Sequence, residues 1–177
     1  MSNIRDYFLR AKHWQIFLMF LVFFLLSPVA LFSSTKVGPP AFIGLTIVYE
    51  LCFLFWFWSM GSFLSMVVQP RLRLNMRFFL FALAYPLLYS LVFFWYFESP
   101  SPAAVIIPLH LFAMFCIIYV LYFVSKSFLL AERRTSVTFS SYAGIFVLCW
   151  FFPIGVWIIQ PRINRLYCDQ GSAMASF

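Results

Sequence analysis

Five runs of apolar residues, each long enough to cross a bilayer, limit what this chain can fold into. They cover residues 14–32, 41–68, 78–97, 103–125 and 138–160. The breaks between them are short and polar: Ser33-Ser-Thr-Lys-Val-Gly-Pro-Pro40, Gln69-Pro-Arg-Leu-Arg-Leu-Asn75, Glu98-Ser-Pro-Ser-Pro102, and the stretch from Lys126 to Thr135. A helix needs about 20 apolar residues to bridge roughly 30 Å of hydrocarbon. In that solvent every backbone polar group must be satisfied internally, which selects helices. The pattern predicts an all-α polytopic transmembrane bundle of five spans with no soluble domain. Residues 1–13 form a basic amphipathic start and residues 161–177 a polar tail.

Composition supports this reading by exclusion. Only 10% of the 177 residues are charged and 64% are hydrophobic, whereas a soluble domain carries about a quarter charged residues. A soluble enzyme, a nucleic-acid-binding domain and a disordered tail are excluded. The net charge of +7 sits in short clusters between apolar runs. That is the pattern of topology signals and of contacts with anionic lipid headgroups, with no nucleic-acid partner implied. Cys52, Cys116 and Cys149 lie inside apolar runs and Cys168 in the polar tail, without a metal-ligand spacing.

Positive charge orients the chain. With the N-terminus inside, Arg5, Arg10, Lys12, Arg71, Arg73, Arg77, Lys126, Arg133 and Arg134 face the cytoplasm. Lys36, Arg162 and Arg165 face outward, a split of nine against three that favours a C-terminus outside. The interruption Phe152-Pro-Ile-Gly155 offers a competing reading. A re-entrant fifth segment would return the tail inside and change the split to eleven against one, and five spans are preferred here. The first run lacks a small-x-small cleavage site and is long enough to span, so it is expected to be retained. Just before it, Ile4, Tyr7, Phe8 and Ala11 fall at helical spacing, which suits a short helix on the headgroups.

Two ionisable residues lie well inside the runs. Glu50 is nine residues and His110 seven residues from the outer start of their helices, so about 13 Å and 10 Å deep at 1.5 Å per residue. A Glu50–His110 contact is geometrically allowed. A charge at such depth costs at least about 2.5 kcal/mol, so both should face the bundle interior. The functional reading is a proton- or ion-handling site; the plainer one is an interhelical hydrogen bond with Glu50 protonated. Pro28, Pro86, Pro108 and Pro153, with Gly155, are expected to interrupt helices. Gly61, Ser62 and Ser65 are expected to let helices approach closely.

Enzyme signatures are missing. There is no His-Glu-x-x-His, no Gly-x-Ser-x-Gly, no glycine-rich phosphate loop and no paired carboxylates, so neither catalysis nor a cofactor or metal is expected. Val67-Val-Gln-Pro-Arg-Leu72 echoes Ile158-Ile-Gln-Pro-Arg-Ile163, most simply as a helix stop used twice. Pro108-Leu-His-Leu-Phe-Ala-Met-Phe-Cys116, Tyr119 to Ser125, and Phe152-Pro-Ile-Gly-Val-Trp-Ile-Ile-Gln-Pro-Arg-Ile-Asn164 resemble a family of small bacterial multi-pass membrane proteins. The resemblance spans mainly the C-terminal 70 residues and implies a bacterial inner membrane without an assigned activity. An acidic residue often follows the family's glycine equivalent to Gly144, where Ile145 stands here.

The expected function is a membrane subunit or scaffold that acts through helix packing, as a homo-oligomer or with other membrane subunits. The alternative is an oligomeric ion channel or proton-coupled carrier using Glu50 and His110.

Overall fold

The computed structural model describes residues 4–32, 38–97 and 103–175, and these are all-helical apart from short connections. Seven helices follow in order: α1 (Ile4–Arg10), α2 (His13–Phe32), α3 (Gly38–Val67), α4 (Met76–Phe97), α5 (Ala103–Arg133), α6 (Phe139–Trp150) and α7 (Phe152–Ala175), with a 3-10 turn at Pro70–Leu72. By length and apolarity α3, α4 and α5 can each cross a membrane. The number of candidate spans rises to five if the bent pairs α1–α2 and α6–α7 each count as one. Lys36 lies outside the described residues.

Local chemistry explains the helix ends. After Val67 the chain meets Gln69-Pro70, and a proline cannot continue a helix without losing a backbone bond. The Arg73 guanidinium folds back to donate to the carbonyls of Val68 (2.9 Å) and Met66 (3.2 Å), satisfying orphan acceptors at the end of α3. The Asn75 side chain accepts from the amides of Arg77 (3.0 Å) and Phe78 (3.2 Å), an N-cap for α4. Past the end of α5, Arg134 adopts φ 55° and its amide reaches the Leu130 carbonyl at 2.9 Å, the left-handed cap that closes many helices. Arg71, Arg77 and Arg133 stay exposed near these ends.

The core joins α3, α4 and α5 at one seam. Gly61 leaves room for the Phe79 ring, which a Cβ there would strike. Phe79 in turn stacks on Phe123 at 4.1 Å between ring centroids. This is the close approach expected of the Gly61 end of α3, and it depends on glycine.

Three expectations about helix breaks are corrected. Pro28, Pro86 and Pro108 each lie within a continuous helix, tolerated because only one backbone bond is forfeited at each. The second Gln-Pro-Arg is not a stop, since α7 runs through Pro161 to Ala175. The break falls at Phe151, and Pro153 sits in the first turn of α7, where its missing N–H costs nothing. There α6 and α7 bend by 120°.

The bend sends α7 back along α2. Phe152 packs on Phe20 (4.9 Å between centroids) and Trp157 on Phe17 (5.5 Å) and His13 (4.6 Å). Arg162 meets Glu132 near the end of α5 (3.0 Å), and Tyr167 donates to Asp6 of α1 (3.1 Å). The sequence reading set Arg162 at the end opposite Arg133; these contacts set it at the same end, beside Glu132 and the N-terminal helix. In α1 the buried side chains are Phe8 and Leu9, while Ile4 and Tyr7 are exposed.

Candidate functional site

Among the described residues, Gln160 brings together four hydrogen-bonding partners. Its side chain is fully buried among α1, α3 and α7. The Trp56 indole N–H donates to Oε1 at 3.1 Å. The two Nε2 hydrogens of Gln160 are shared among three acceptors, the carbonyls of Phe8 (2.8 Å) and Ala11 (3.0 Å) and Oδ1 of Asn164 (2.9 Å). The Asn164 amide completes the set by donating to Ala11 at 3.1 Å. The carbonyls of Phe8 and Ala11 belong to the break between α1 and α2, which bend by 108°. A helix end leaves such acceptors without partners, and burying them unpaired would cost about 1–3 kcal/mol each. Gln160 and Asn164 remove that cost, one helical turn apart on α7.

Glu50 and His110 form no pair. Ser90 donates to Glu50 Oε2 at 2.6 Å, and His110 Nδ1 lies 3.1 Å from the Tyr89 hydroxyl. Both partners are on α4, at consecutive positions, and consecutive residues of a helix point about 100° apart. α4 therefore takes each group separately. His110 is exposed and Glu50 half-buried.

The hydroxyls within the long helices turn back on their own backbones. Ser27, Thr46, Ser59, Ser65 and Ser125 each donate to a carbonyl three or four residues earlier. Lys126 donates to the Tyr122 hydroxyl at 2.9 Å. Among the described residues, no buried side-chain nitrogen or oxygen lacks a partner, and no group of His, Cys, Asp or Glu is placed to hold a metal ion. Ile145 on α6 is buried in the core. The polar groups of the site thus act as interhelical fastenings.

Sequence reasoning passed over Gln160, Asn164, Trp56, Tyr89 and Ser90. A signal for Gln160 was present: an amide within the apolar run Val156-Trp-Ile-Ile-Gln160 must find partners if buried. No known protein family, curated protein or solved structure matches this chain.

Proposed function

We propose that this chain is a non-catalytic membrane subunit of the bacterial inner membrane, acting by packing its helices against a second copy or another membrane protein. The observation that carries the reading is that its intramembrane polar side chains are spent on internal bonds, Glu50 on Ser90 and His110 near Tyr89. What the bundle offers to its surroundings is apolar surface, such as Phe24, Leu88, Leu111 and Ile154. The resemblance of its C-terminal part to small bacterial membrane proteins supports the compartment. The exposed Arg71, Arg77, Arg133 and Arg134 suit anionic headgroups. Proton flux into liposomes holding the purified chain is the test. Flux equal to that of empty liposomes is expected for both the wild type and Glu50→Gln. Wild-type flux that the substitution abolishes would replace this reading with a proton-coupled channel or carrier.

The proposed topology has four crossings, α2 to α5, and a re-entrant α6–α7 hairpin, with both ends cytoplasmic. It is supported by the bonds from Arg162 to Glu132 and from Tyr167 to Asp6. It also brings eleven of the twelve Lys and Arg residues to one side, the asymmetry that orients membrane proteins. Alkaline phosphatase fused to either end should stay inactive in cells, and green fluorescent protein at either end should fluoresce. An active C-terminal phosphatase would mean that α6 and α7 cross as one broken span.

A further inference from the structure

The hairpin ends partway up the bundle, where Phe152 rests on Phe20, Tyr49 and Phe53. From that level toward the α2–α3 connection, α2 and α3 enclose a crevice of about 560 Å³ with Phe152 and Pro153 as its floor. We propose that this crevice holds one hydrocarbon tail of a membrane lipid, from the leaflet opposite the chain's two ends. The proposal rests on the reading of the chain as membrane-spanning.

Three observations carry it. Along α2 the lining runs from Phe17 to Ser27, ten residues or about 15 Å, which is half of a hydrocarbon core of roughly 30 Å. The crevice is therefore about as long as one leaflet is thick. Its wall offers water almost nothing: Ser27 and Thr46 donate back to Phe24 (3.3 Å) and Phe42 (2.8 Å). That leaves the Tyr49 phenol, and a buried water needs two to four polar partners. The crevice also passes from a closed floor to an open side, since Phe20 is 2% exposed and Phe24 72%. It is reached from the bilayer, sideways.

The experiment uses the full chain reconstituted in phosphatidylcholine and phosphatidylglycerol vesicles containing a phospholipid with a diazirine in mid-tail. After irradiation, labelled peptides are read by mass spectrometry. Segments 20–27 and 42–49 should carry about tenfold more label, the ratio for about 1.4 kcal/mol, than the segment with Leu88 and Leu91, which are exposed on α4. In Leu45→Trp, which fills the crevice, that excess should vanish while labelling at Leu88 persists. Equal labelling of the two regions in the wild type overturns the proposal, as does a crosslink to a second copy at these segments in place of lipid. Absence of label at Leu88 as well would overturn the membrane-spanning reading itself.

Discussion

Gln160→Leu is expected to detach α1 from the bundle and lower the melting temperature by about 6–12 °C. The change is nearly equal in volume, so the loss is one of hydrogen bonds. It strands the Phe8 carbonyl and the Trp56 indole N–H, and leaves the Ala11 carbonyl with Asn164 alone. Two stranded buried groups and one weakened one, at about 1–3 kcal/mol for each full loss, amount to about 3 kcal/mol. A chain of this length shifts by about 2–4 °C per kcal/mol. Trp56→Phe removes the indole donor and, because Trp56 is fully buried, also opens a small cavity, while the contacts of Gln160 Nε2 persist; its cost should be about 2 kcal/mol. Melting followed by circular dichroism in detergent, with limited proteolysis near Arg10, measures both. A Gln160→Leu protein that melts with the wild type and resists cleavage would remove Gln160 from its role as the fastening.

The same hub marks where sequence reading works and where it stops. The helices expected over 14–32, 41–68 and 78–97 match α2, α3 and α4 closely because hydrophobic length sets them and the polar breaks end them. Asn75 and Gln69-Pro70 were legible as boundaries for the same reason: each acts on its own backbone neighbours. α5 outran its expected end, since Lys126 sits inside the helix, its ammonium on the Tyr122 hydroxyl. A long aliphatic stem carries such a charge without ending the helix. Glu50 and His110 stand out in the sequence as ionisable groups within apolar runs, yet their partners depend on which face of α4 meets each helix. Apolar residues on all sides of these helices erase the amphipathic stripe that would have indicated it. Gln160 was read as part of a stop because Pro161 follows it. Its real surroundings come from residues about 150 positions earlier in the chain, and no local pattern encodes a contact that distant.

Gly155 is the residue on which the return of α7 depends, and among the four glycines at positions 44, 61, 144 and 155 its replacement by alanine should cost the most. A Cβ at this position would run into the carbonyl oxygen and carbon of Leu148, near the end of α6. No rotamer change relieves a collision with backbone. The two helices must splay, and the cost is about 3 kcal/mol, the upper part of the range for overpacking. Gly144, on the exposed face of α6, has nothing within 4 Å of the corresponding point. Gly144→Ala should therefore stabilise the chain by about 0.5–1 kcal/mol, the gain in helix propensity. The two substitutions add the same atom to the same hairpin with opposite expected signs. Cys149, 1% exposed and at the hinge between them, supplies a second readout. Splaying should speed its alkylation in Gly155→Ala and leave it unchanged in Gly144→Ala, with Cys168 replaced by serine in both to remove the exposed thiol. If Gly155→Ala melts no lower than Gly144→Ala and shields Cys149 equally well, the close crossing of α6 and α7 is wrong. The crevice above it would then lose its floor.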